Sequence, residues 1–146
     1  SILSEIAKSL TLKESRDYVF FLDSTILRLW FFNKNDEENF YNKIIANKEL
    51  MKAGIIIDNK IKDEFMLPKN DRRYGDIAWW ANPGTLIFPD FFHIGKPYKG
   101  MHGYNPNHSS THGTFISFGK NMKTQSVESL HLHDIYPIIS NFFNEK

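Results

Sequence analysis

Tyr18-Val19-Phe20-Phe21-Leu22 and Ile26-Leu27-Arg28-Leu29-Trp30-Phe31-Phe32 flank the polar triplet Asp23-Ser24-Thr25. Aromatic and branched residues suit a pleated, half-buried surface, and a short polar break between two such runs favours an antiparallel hairpin. Upstream, Ile2, Leu3, Ile6, Ala7 and Leu10 recur at near-helical spacing, which predicts a short amphipathic helix. Downstream, Asp36 is placed to cap a helix whose first turn carries Glu37 and Glu38, with Phe40, Ile44 and Ile45 as its apolar stripe. Gly54 to Ile57 reads as a short strand. Residues 1–66 are therefore expected to form a small α+β unit.

The second half, residues 67–146, is punctuated by Gly and Pro, and the junction is expected near Met66 to Tyr74. Ile77 to Ala81 and Thr85 to Phe88 flank Asn82-Pro83-Gly84, where Pro presets φ and Gly permits φ > 0, so two strands around a β-turn are predicted. Pro89 to Thr111 has almost no periodicity, and a stretch this long without regular structure is usually functional or disordered. Its histidines, glycines and aromatic residues argue against disorder. Thr114 to Phe118 reads as a compact apolar strand. Asp134 to Phe143 reads as a helix, because Ile135, Ile138, Ile139, Phe142 and Phe143 fall on one face and Pro137 sits in the first turn. That strand and helix are expected to pack on each other.

With 146 residues, 41% hydrophobic and 24% charged, the chain is large enough for one core. Eighteen basic and seventeen acidic residues leave a formal charge of +1, which excludes the electrostatic footprint of a nucleic-acid polymer or anionic membrane partner. No apolar run approaches a bilayer span, and Ser1 to Leu12 lacks the pattern of a signal peptide. A soluble chain is expected. The absence of cysteine fits a reducing compartment such as the cytoplasm and restricts metal ligands to His, Asp or Glu.

All six histidines, His93, His102, His108, His112, His131 and His133, lie in the second half. They form no His-Glu-x-x-His helix and no dense cluster with carboxylates, so composition alone assigns none to a metal. His131 and His133 would share a face if their segment were a strand. Ser109, Ser110 and Thr111 beside His108 and His112 are better explained by a loop bonding to its own backbone than by a nucleophile. Lys96 and Lys99 between Gly95 and Gly103 could face a phosphate, but they stand outside any Walker pattern. Trp79 and Trp80, adjacent in a strand, are expected on opposite faces.

Gly100-Met101-His102-Gly103-Tyr104, followed by Asn105-Pro106-Asn107, resembles the "G-x-H-G" segment of the nucleotide pyrophosphatase/type I phosphodiesterase family of the alkaline phosphatase superfamily. Three further landmarks occur in the same order as in that family. They are Asp71-Arg72-Arg73-Tyr74-Gly75-Asp76-Ile77 with Asn82-Pro83-Gly84 for the "R-x-G-D" strand and turn, Thr111 to Gly119, and Asp134-Ile135-Tyr136-Pro137 for "D-I-x-P". The resemblance covers about Leu67 to Phe143. It implies an α/β fold of the alkaline phosphatase-like type, present as its C-terminal portion, with residues 1–66 as a cap-like subdomain. It also implies that His102 is a zinc ligand in a site that holds two ions, and that the substrate is a small phosphate ester or nucleotide.

The departures from the family pattern limit that expectation. The family's Thr or Ser nucleophile and its remaining metal ligands precede the matched region, and no "D-H-G" motif occurs here. One histidine does not complete a catalytic zinc site, which takes about three protein ligands. The chain is therefore expected to be a piece of a longer polypeptide or to act with a companion chain, to carry no catalytic residue itself, and to be inactive alone. Around His102 the loop is expected to be mobile in the isolated chain. Other chemistries of the superfamily, on phosphonates, sulfate esters or phosphomutase substrates, and a non-catalytic binding or assembly module are the alternatives.

Overall fold

The computed structural model describes residues 2–69, 71–119 and 126–144. Its contacts divide into two compact units, Ser1–Gly113 and Thr114–Lys146.

The first unit is built on the hairpin. β1 (Tyr18–Asp23) and β2 (Ile26–Phe31) pair antiparallel through a tight turn at Ser24 and Thr25, in the register Tyr18 to Phe31 and Asp23 to Ile26. The sheet continues through the later strands, in the order β1-β2-β4-β3, with β3 (Gly54–Ile56) and β4 (Ile77–Ala81) both antiparallel to their neighbours. Thus a strand from beyond the expected junction sits inside the sheet of the first sixty-six residues, and the chain separates at Gly113 rather than near Met66 to Tyr74.

Side-chain alternation sorts the sheet into two faces. Leu27, Leu29 and Phe31 of β2 and Ile77, Trp79 and Ala81 of β4 join Tyr18 in one buried cluster. It is completed by Ile6 and Ala7 of α1 (Ile2–Ser9) and by Phe40 and Ile44 of α2 (Lys34–Ala46). Leu29, Phe40 and Ile44 are completely inaccessible to water. Trp80 lies on the opposite face, edge-on to Phe65, as alternation requires.

Capping explains where the helices begin. Asn33, rather than the expected Asp36, caps α2, its side chain accepting from the Asn35 N–H at 2.8 Å. Phe40 and Ile44 of the anticipated stripe are buried, but Ile45 is exposed. Two short helices were not evident from periodicity. α3 (Lys48–Ala53) starts at Asn47, whose side chain accepts from Glu49 and Leu50, and α4 (Asn59–Glu64) starts at Asp58, which accepts from Ile61. At six residues each, they are too short for a hydrophobic stripe to declare itself, and their caps are the legible signal.

Gly54 is needed for close approach. A Cβ there would collide with the Trp79 ring and the Trp80 carbonyl, so only glycine lets β3 lie against β4 at this point. Beyond β4 the predicted turn forms, with the Thr85 N–H donating to the Asn82 carbonyl at 2.9 Å, but Thr85 to Phe88 does not become a strand. Instead the Ile87 N–H donates to the Ser24 carbonyl, and the segment is drawn to the hairpin tip.

The second unit contains α5 (Leu132–Asn144), close to the predicted helix and with Pro137 inside it. Thr114 to Phe118 is not a strand: Ile116 and Phe118 are largely exposed, and the expected partner for the helix does not form. Of the helix stripe, the Phe142 side chain lies outside the described residues, and Ile139 is half exposed. His133 falls within α5, and His131 immediately precedes it, so they do not share a strand face. None of the described helices is long and apolar enough to cross a membrane.

Candidate functional site

The buried polar residues among the described ones are Ser24, Thr25 and Asp90, and all three meet at the tip of the β1–β2 hairpin. This tip organises the loops that follow β4. The Thr25 carbonyl accepts from Ala81, the Ser24 carbonyl from Ile87 and the Leu22 carbonyl from Phe91. Each is a backbone group that the short hairpin leaves unpaired on that side, and a buried polar group without a partner is costly.

Asp90 is the anchor. Its carboxylate accepts from the Ser24 hydroxyl at 2.7 Å and the Ser24 N–H at 3.1 Å, from the Phe92 N–H at 2.8 Å and the His93 N–H at 2.6 Å, and it faces His93 Nδ1 at 2.9 Å. Burial pushes this carboxyl upward, but the hydrogen bonds from His93, Ser24 and the two backbone amides outweigh it and hold the group well below the ordinary carboxylate range. Ser24, His93 and Asp90 have the composition of a hydrolytic triad but not its geometry. The serine donates to the carboxylate, and its oxygen stands 3.4 Å from the same His93 Nδ1 that faces Asp90. A triad requires the serine and the acid on opposite ring nitrogens. The cluster is a structural tie between residues 90–93 and the hairpin.

His102 is held by a second tie. The Gly103 carbonyl, one residue on, accepts from the Thr25 hydroxyl at 2.9 Å and from the Trp80 indole N–H at 2.8 Å. Next to it, the Tyr104 ring packs against the core and its hydroxyl donates to the Thr85 carbonyl at 2.9 Å. The backbone just after His102 is therefore tied to the hairpin tip, to β4 and to the turn after it. The His102 side chain itself is exposed and has no hydrogen-bond partner among the described residues. Gly103 has φ +94°, and a Cβ on it would lie 2.9 Å from the Thr25 hydroxyl oxygen. Gly103→Ala is expected to cost about 1–3 kcal/mol through left-handed strain and loss of the Thr25 contact. Urea denaturation followed by tryptophan fluorescence checks it, and Gly100→Ala, with open space around its Cβ position, is the control.

Other expected residues find structural employment. Asp76 of the "R-x-G-D" landmark accepts from the Phe31 N–H at 2.8 Å and pairs with Arg72 at 3.0 Å, closing the end of β2, while Arg73 pairs with Asp71. Thr111 donates to the His108 carbonyl at 2.6 Å and His108 accepts from the Ser110 N–H at 3.2 Å, so this serine and threonine cluster does serve its own backbone. Lys96 and Lys99 are exposed in the loop.

A zinc ion needs several donors converging on one point. Among the described residues no group of three or more His, Asp or Glu side chains is placed to hold a metal ion. His102 belongs to no such group, so the described residues do not by themselves make a zinc site. A cavity of about 510 Å³ is bordered by Glu37, Glu38, Asp58 and Asp76, but it contains no histidine.

The chain matches no family model, no curated protein and no solved structure. The functional reading therefore stands on the residues. The tie at Asp90 was not legible in the sequence because Ser24 and Asp90 are 66 positions apart. A Ser-Thr pair in a two-residue turn whose side chains are both buried is its only local trace.

Proposed function

We propose that the chain is the C-terminal segment of a metal-dependent phosphoric ester hydrolase of the phosphodiesterase/nucleotide pyrophosphatase kind, with an alkaline phosphatase-like fold in the complete protein. In this reading His102 supplies one ligand to a zinc whose other ligands, with the nucleophile, come from an upstream part of the same protein or from a companion chain. The substrate is a small phosphate ester or nucleotide. The observation that carries it is the anchoring beside His102: an exposed imidazole with no hydrogen-bond partner among the described residues is followed directly by a backbone tied at Gly103 by two hydrogen bonds from different elements. Fixing a loop backbone costs about 1–2 kcal/mol per residue in conformational entropy. A rigid support is what a single metal ligand needs if its partners are to be supplied from elsewhere.

The four motif landmarks that share this order support the same reading, in which the segment contributes to a site rather than containing one. The test uses the complete protein with an aryl phosphodiester and zinc. His102→Ala is expected to lower bound zinc, measured by atomic absorption, and turnover together, by tenfold or more. His131→Ala is expected to leave both near the parent values. Equal zinc content and turnover in the His102 variant and the parent would overturn the assignment. Robust metal-dependent turnover by the 146-residue chain alone that His102→Ala abolishes, and that is therefore no contaminant, would overturn its reading as a segment.

A further inference from the structure

The face of the sheet away from the main core carries a hollow of about 270 Å³, walled by Ile26, Phe65, Leu67, Tyr74 and Trp80 and floored by Ala78. Its origin is in the register. Ile26 pairs with Trp80 and Arg28 with Ala78, so a large indole is followed along β4 by a methyl group, and the missing volume opens beside Arg28. Pocket walls that are mainly apolar with a few polar groups at fixed positions are the usual form of a small-molecule site.

The polar groups here have one sign. Arg28 and Lys62 line the hollow, and no carboxylate does. Arg28 is half-buried, and its guanidinium lies 5.7 Å from the centre of the Tyr74 ring. Neither side chain has a hydrogen-bond or ion-pair partner among the described residues, although other cations of the unit do: Arg16 pairs with Asp17, Lys34 with Glu37, Lys69 with Asp63, Arg72 with Asp76 and Arg73 with Asp71. A guanidinium held over the face of a ring by a cation–π contact leaves its N–H donors open to a carboxylate or phosphate.

We infer that this hollow binds a small aromatic anion, its ring between Trp80, Phe65 and Tyr74 and its acidic group on Arg28, with Lys62 adding charge. The inference does not depend on the role of His102. Carboxylate and phosphate monoester share the required chemistry, so the experiment includes both.

The 146-residue chain is titrated with naphthalene-2-carboxylate, 2-naphthyl phosphate and neutral 2-naphthylmethanol, followed by amide chemical shifts. Both or one of the anions should shift the amides of Arg28, Leu67, Ala78 and Trp80 and bind at least tenfold more tightly than the alcohol. The tighter of the two anions identifies the acidic group preferred. Arg28→Gln should remove the advantage of the anions, and Ala78→Leu should weaken all three probes by filling the floor. The comparison of anion with alcohol on the parent chain needs no variant to fold. Equal affinity for alcohol and anions, shifts confined to other residues, absence of binding, or an undiminished preference in a folded Arg28→Gln chain would each overturn the proposal.

Discussion

Leu29→Asp is expected to leave the first unit unfolded at 25 °C. Leu29 is wholly inaccessible, lies between Phe20 and Ile77 in the paired register, and belongs to the same cluster as Phe40 and Ile44. The substitution removes about 1.5–3 kcal/mol of apolar burial and places a carboxylate inside a cluster of buried apolar side chains. A domain of this size is stable by about 5–15 kcal/mol in all, so the sum of lost burial and unpaired charge takes most of that margin. Circular dichroism and amide dispersion report the outcome, and Leu29→Ala, at about 2–5 kcal/mol, gives a folded and measurable intermediate case. Ile116→Asp is the contrast. Ile116 is 76% exposed, so its replacement is expected to change stability by no more than about 0.5 kcal/mol. A large effect at Ile116 with a small one at Leu29 would mean that the stabilising core lies between Thr114–Phe118 and the last helix instead of under the hairpin.

The contrast also marks how far the sequence was readable. The hairpin was legible because its two runs are long, adjacent and rich in strand formers, so nothing distant was needed to place Tyr18 against Phe31. α1, α2 and α5 were legible by their spacing. Thr114 to Phe118 has the same local character as β2, yet β2 becomes a strand because β1 and β4 bond to both its edges, whereas no strand pairs with the later run among the described residues. Strand propensity describes fitness for a pleated surface and does not supply the neighbouring strand. For the candidate site, His102 was legible as a motif, and its support was not. Thr25, Trp80 and Thr85 converge on Gly103 and Tyr104 from 78, 23 and 19 residues away, a long-range arrangement that no window of sequence displays.

Asp90→Ala is expected to destabilise the first unit by about 3 kcal/mol at neutral pH and to reduce its sensitivity to acid. The Ser24 hydroxyl and the amides of Ser24, Phe92 and His93 all lose an acceptor in one step, and a buried donor left unsatisfied costs about 1–3 kcal/mol. Relaxation of residues 90–93 toward water recovers part of that, since Phe91 and Phe92 are already exposed. The direction of the pH effect follows from proton binding. Hydrogen bonds hold the Asp90 carboxyl below its ordinary value despite burial, so at acid pH the unfolded chain binds this proton more readily than the folded one. Its contribution is fully present above the unfolded value of about 3.9 and is lost as pH falls below that toward the folded value. Asp17 and Asp71 are also held low, by hydrogen bonds from Arg16 and Arg73 respectively, so the parent loses stability from several groups in the same range. Those two lie at exposed pairs, where solvent screening keeps each contribution small. Removing Asp90 should therefore flatten most of the decline in urea midpoint between about pH 5 and pH 2, while Asp17→Asn should change it little. Asp90→Asn separates charge from shape, because the amide keeps one acceptor oxygen for the backbone N–H groups but presents N–H where the Ser24 hydroxyl now donates. Its stability should fall between those of the parent and Asp90→Ala, with an acid limb as flat as that of Asp90→Ala. A parent-like acid limb in Asp90→Ala would show that the tie at the hairpin tip does not control the acid stability of this unit.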